Sequence, residues 1–114
     1  MNIRVQKVEE LLKQQVSVLL RENLPEELGI VTVTDTEVTP DLKQAKIYIA
    51  LINKEARKRV FKEIVQKSPD FQRYLGKTLK MRSTPRLTFV IDESEAKVDR
   101  VEELLKEIDH NRSD

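Results

Sequence analysis

No cysteine occurs among the 114 residues, which excludes a disulfide framework, a thiolate metal site and a cysteine nucleophile. Only two glycines are present, Gly29 and Gly76, too few for the glycine-rich loops that cradle nucleotide phosphates. Tryptophan is missing, and the aromatic set is three phenylalanines and two tyrosines. No apolar run approaches the ~20 residues needed to cross a bilayer, and no apolar core follows a basic start as in a signal peptide. A cytoplasmic protein without a membrane partner is therefore expected. The single histidine, His110, lies in a polar tail and reads as a solvated end rather than a general base. Carboxylates sit beside basic residues at helical spacing, as Glu9, Glu10 and Lys13 do, which is ordinary surface pairing. This inventory points away from an enzyme, and no cofactor or metal is expected.

What the chain does have is charge, unevenly placed. Eleven of its 21 basic residues fall between Lys54 and Arg86 with only Glu55, Glu63 and Asp70 against them, a net charge of +8. The remainder carries ten basic and 17 acidic residues, or −7, so the total of +1 conceals a polarised molecule. A basic stretch set against an acidic remainder is the footprint of a surface that meets phosphates. A solvated lysine-rich face would give the same count.

Periodicity predicts one domain over 1–108 and a polar tail over 109–114. From Ile3 to about Glu22, apolar residues recur at Val5, Val8, Leu11, Leu12, Val16, Leu19 and Leu20, an amphipathic helix. Ile30–Thr39 is rich in β-branched residues and reads as a strand, and Thr39-Pro40-Asp41 as a turn. Ala45, Ile47, Ile49 and Leu51 then alternate with Lys46 and Tyr48 in a second, antiparallel strand. From Lys54 the period becomes helical, with Ala56, Val60, Phe61, Ile64 and Val65 as the stripe. Ser68-Pro69-Asp70 reads as an N-cap followed by proline in a first turn, so a second helix should begin there and carry Phe71, Tyr74, Leu75 and Leu79 inward. Leu87, Phe89 and Ile91 mark a third strand, parallel to the second across the helical crossover. A last amphipathic segment spans Val98–Ile108. The expected class is α+β, a three-stranded sheet with helices on one face and a helix–kink–helix before the third strand.

That order matches the type II KH fold. The stretch 29–49, Gly-Ile-Val-Thr-Val-Thr-Asp-Thr-Glu-Val-Thr-Pro-Asp-Leu-Lys-Gln-Ala-Lys-Ile-Tyr-Ile, resembles the first hairpin of the bacterial ribosome-binding factor A family. So does 75–94, Leu-Gly-Lys-Thr-Leu-Lys-Met-Arg-Ser-Thr-Pro-Arg-Leu-Thr-Phe-Val-Ile-Asp-Glu-Ser, which resembles that family's helix end, basic loop and third strand. The resemblance implies a maturation factor of the small (30S) ribosomal subunit. Such a factor binds free subunits or precursors and 16S rRNA, assists late assembly and 5′-end processing, and acts as a monomer without chemistry of its own. Three departures stand out. Lys67-Ser68-Pro69 replaces the family's Ala-x-Gly kink, Gln72 stands where an arginine is common, and Glu95-Ala-Lys-Val lacks a usual glycine.

By this resemblance, nucleic acid should lie along the helix–kink–helix and the adjacent strand. The expected RNA contacts are Lys67, Arg73, Lys77, Lys80, Arg82, Arg86, Lys46, Arg57, Lys58 and Lys62, those after the kink facing the RNA more squarely than those of the first helix, and Ser68 and Pro69 form the kink. Arg73, Lys77 and Lys80 recur at i, i+4 and i+7, and Arg57, Lys58, Arg59 and Lys62 form a separate earlier group. Phe61, Phe71 and Phe89 fall on core stripes, so no aromatic platform for stacking bases is expected, which leaves backbone and shape recognition. Tyr48 and Tyr74 read as packing residues, Asp41 and Asp92 as turn caps. The alternative is a protein-interaction domain that recruits a partner through its acidic carboxyl-terminal helix.

Overall fold

Asn2 opens the first helix as its N-cap, its Oδ1 accepting from the backbone N–H groups of Arg4 and Val5 at 3.1 and 3.3 Å. The computed structural model describes residues 2–92; the expected Val98–Ile108 helix and the 109–114 tail lie outside them. Helix α1 (Ile3–Asn23) buries Val8, Leu12, Val16, Leu19 and Leu20 as the periodicity requires. Leu11, on the flank of that stripe, is 36% exposed. A short 3₁₀ turn (Glu26–Leu28) and Gly29 lead into strand β1 (Val31–Val38). Gly29 has φ 87°, and a Cβ there would also meet Asn53 Cβ at 3.2 Å, so both the backbone and the space demand glycine.

Strand β1 pairs antiparallel with β2 (Gln44–Leu51), and β2 pairs parallel with β3 (Arg86–Ile91), giving the order β1-β2-β3. The hairpin turn closes where Leu42 N–H donates to the Thr39 carbonyl at 2.8 Å, with Pro40 at the position that its fixed φ suits. One sheet face is apolar and buried, through Val33, Val38, Ala45, Ile47, Ile49, Leu87 and Phe89. The helices cover it, and Phe71 of the second long helix meets Phe89 edge to face with ring centroids 6.4 Å apart. Thr36 is the polar residue buried in this layer, and its hydroxyl donates to the Glu9 carbonyl of α1 at 2.7 Å. The α+β class and the mixed three-stranded sheet are as the sequence implied.

The helix–kink–helix is not seen in that form. After a 3₁₀ turn (Lys54–Ala56), one helix, α2, runs from Arg57 to Thr78 with Pro69 inside it. Ser68 has helical neighbours on both sides and is not an N-cap. The buried residues of α2 explain why the helix carries on. Val60, Ile64, Phe71 and Leu75 are spaced 4, 7 and 4 apart, and seven residues are nearly two full turns, so all four fall on one stripe. A break at Ser68 would put the two pairs out of phase. Pro69 withholds an N–H from the Val65 carbonyl, but both residues are exposed, so water can take the freed acceptor. The same phase corrects two expected core residues: Val65 and Tyr74 lie on either side of the stripe, about 110° and 70° from its centre, and are each 49% exposed.

Pro69→Ala supplies the missing donor and removes the ring from the helix interior, so it should raise stability by roughly 1–3 kcal/mol. Were Pro69 instead the first residue of a separate helix, the same change would be neutral or destabilising. Thermal and denaturant unfolding of the variant distinguishes the two.

Candidate nucleic-acid interface

A continuous α2 has one solvent arc, opposite its core stripe. Lys58, Lys62, Arg73 and Lys77 lie on it, all exposed. Arg59, which the sequence reading left outside its expected RNA-binding set, lies there too. These five cations fall within about 100° of arc and span about 29 Å of helix axis. The earlier and later basic groups, separate if the helix breaks, are thus a single row. The two acids of α2 are tied off by intrahelical pairs: Lys67 Nζ–Glu63 Oε2 at 3.0 Å, and Arg73 with Asp70. Lys67 is therefore a half-buried partner of Glu63 at the border of the core, set apart from the row. Arg57 shares the angular position of Leu75, is half-buried, and has its Nε buried without a hydrogen-bond partner.

Past Thr78 the row continues into the loop that carries Lys80 and Arg82, both exposed. Gln72 holds that loop, its Nε2 donating to the Pro85 carbonyl at 2.7 Å and its Oε1 accepting from Leu87 N–H at 2.9 Å. One amide thus acts as a strand partner for the outer edge of β3, in the place where the resembling family commonly has an arginine. The signal for it in the sequence was that substitution alone.

Arg86 and Lys46 lie elsewhere. They are exposed on the sheet face turned away from α2, where Lys46 pairs with Glu37 in the β1–β2 register. That face also carries Asp35 and Asp92, with Thr34 Oγ1 donating to Asp92 Oδ2 at 2.7 Å. Loss of hydration, then the carboxylates of Glu37, Asp35 and Asp92, push the Tyr48 phenol above its ordinary value of 10.0. Lys46 thus stands beside an acid, while Arg86 is opposite Gln44 at the start of β3. Tyr74, half-exposed beside Arg73, is the aromatic ring next to the basic row. Asp41 caps its turn as expected, accepting from Thr39 Oγ1 at 2.6 Å and from Lys43 N–H at 3.1 Å, and these bonds hold its carboxyl below the ordinary range. Among the described residues no group of His, Asp or Glu could hold a metal, and no helix is long and apolar enough to cross a membrane.

Residues 4–105 match the family model described as Ribosome-binding factor A. Ribosome-binding factor A of Anaeromyxobacter dehalogenans is 39% identical over 107 residues, covering 91% of this chain and 78% of that protein. The protein of the same name from Desulforamulus reducens is 36% identical over 110 residues, covering 95% and 92%. The crystal structure of ribosome-binding factor A from Thermus thermophilus superposes with a TM-score of 0.66 at 18% identity, over 76% of this chain and 93% of that one. A homology model of the Thermus thermophilus factor, fitted into a cryo-EM map of a 30S–RbfA complex, gives 0.63 at 19% identity over the same shares, 76% and 93%. These two share the fold.

Gln72→Ala leaves the Pro85 carbonyl and the Leu87 N–H without a partner in a half-buried setting, and should cost roughly 1–3 kcal/mol in unfolding experiments. On the other face, ultraviolet titration of Tyr74→Phe protein, which isolates Tyr48, should show tyrosinate forming above the ordinary range. Adding Glu37→Gln should bring that midpoint down, because it removes a carboxylate that opposes ionisation.

Proposed function

Because the chain belongs to the ribosome-binding factor A family, we propose that it binds free 30S ribosomal subunits or their precursors through 16S rRNA. In this reading it is a cytoplasmic, monomeric assembly factor that assists late maturation and 16S 5′-end processing by occupying its site and catalyses no step itself. The observation that carries the reading is the row Lys58, Lys62, Arg73 and Lys77 on one side of a continuous helix, where Glu63 is paired with Lys67 outside the row and Asp70 with Arg73 within it. A straight row of cations answers the regular phosphates of an RNA helix, and arginine adds a bidentate grip where lysine supplies a point charge. The shortage of exposed aromatics agrees with recognition of backbone and shape. The Thermus thermophilus homologue fitted into the map of a 30S complex supports the choice of partner.

Two consequences separate this from a merely solvated face. Lys62→Glu with Lys77→Glu, one at each part of the row, should abolish co-sedimentation with 30S subunits at moderate salt and leave the melting temperature nearly unchanged. The slope of log affinity against log salt should fall by roughly 0.7–0.9 for each phosphate that is no longer neutralised. Lys46→Glu, on the acidic sheet face, is the control and should bind as the parent does. Arg82→Ala should weaken binding more than Arg57→Ala, since the Arg57 Nε is buried. Unchanged binding by the Lys62/Lys77 variant would overturn the assignment.

A further inference from the structure

Beyond the helix row, a cleft of about 700 Å³ opens between the start of α1, the β1–β2 turn and the loop after α2. Arg4, Lys43, Lys80 and Arg82 line it, four cations brought together from three distant parts of the chain. Among the described residues none of the four forms a side-chain salt bridge with a carboxylate. Asp41 lines the cleft as an ionised carboxylate, its Oδ1 accepting from Thr39 Oγ1 and Lys43 N–H and its charge offsetting part of that of Lys43, so the lining keeps a net positive charge. Four cations around one opening raise the local positive potential and draw an anion toward it. The floor is apolar, with Val8 buried and Leu42 and Met81 packed partly into the core.

The backbone adds an independent observation. Among the described residues only two other than glycine have positive φ, Leu42 at 61° and Lys80 at 47°, and both line this cleft. Lys80 sits just past the C-cap Leu79 of α2, the position where a left-handed residue is usually glycine. A lysine kept there accepts backbone strain in return for its side chain, and strain of this kind gathers at ligand clamps. The volume lies in the range of pockets that hold small ligands, enough for a nucleotide or two.

We infer that this cleft is a second RNA contact that takes an unpaired nucleotide of the rRNA, its phosphates held by Arg4, Lys43, Lys80 and Arg82 and its ribose and base against the apolar floor. This deepens the RNA-binding reading and rests on it. The helix row would follow a duplex backbone, while the cleft adds selectivity for single-stranded RNA where a strand leaves the duplex.

The test uses the full chain, a labelled single-stranded RNA oligomer and a labelled RNA hairpin, with fluorescence anisotropy read across a salt series. Arg4→Glu with Lys43→Glu touches the cleft but not the helix row. It should weaken single-strand binding by about ten-fold or more and lower the single-strand salt slope by about 0.7 for each phosphate set free, leaving hairpin affinity within about two-fold. Lys80→Gly relieves the left-handed backbone, so it should melt no lower than the parent while still losing several-fold in single-strand affinity. Equal weakening of both RNAs by the Arg4/Lys43 variant, or none of either, would overturn the cleft while the helix-row reading stands. If the parent bound neither RNA, both readings would fall.

Discussion

Four core side chains, Val60, Ile64, Phe71 and Leu75, keep the phase of α2 unbroken past Pro69, and the functional surface follows from that phase. Burial of an aliphatic or aromatic side chain is worth about 1.5–3 kcal/mol, so the four together outweigh the roughly 3 kcal/mol that an interior proline costs. Proline sits where its cost is least, on the water side of the helix. Once the phase is fixed, the opposite arc has no freedom either. Lys58, Arg59 and Lys62 before Pro69 and Arg73 and Lys77 after it share that arc, so the cations are the geometric complement of the apolar stripe.

The sheet is kept finite by a separate device. An exposed strand edge invites pairing with another chain. Here β1 has its outward Val38 N–H taken by the Glu9 carboxylate at 2.9 Å, and the nearby Thr36 N–H taken by Asp35 at 2.9 Å. On the other side Gln72 occupies the first groups of β3. Polar side chains thus occupy the end of the β1 edge and the start of the β3 edge. They also sort the charge. Among the described residues, Asp35, Glu37 and Asp92 lie on the sheet face turned away from α2, while the cations of α2 and its following loop face out on the other side. Such a difference between two faces orients a charged partner before the surfaces touch.

Much of this was legible in the sequence because it was written in period. Alternation marked the strands, their buried members and the parallel return of β3; the 3.6 period marked α1 and both halves of α2. Ser68-Pro69-Asp70 misled because the same three residues suit a capped helix start and a proline on the water side of a longer helix. Local chemistry cannot choose between them. The spacing from Ile64 to Phe71 could have, since seven residues preserve helical phase and a new start has no reason to. The error also split the cations into two groups that the folded helix makes one.

The cleft was beyond such reading for a different reason. Arg4, Lys43, Lys80 and Arg82 have no periodic relation, and only the docking of α1 beside the hairpin and the return of β3 brings them together. Left-handed residues are usually announced by glycine or asparagine, and here they are leucine and lysine. The exception is informative in itself. Leu42 packs partly into the core, which gives its backbone a structural reason to be held. Lys80 is exposed, so its left-handed backbone ends α2 without any gain from burying its side chain. Lys80 places a cation at once at the end of the basic row and at the mouth of the cleft, which is the position that the proposed phosphate contact requires.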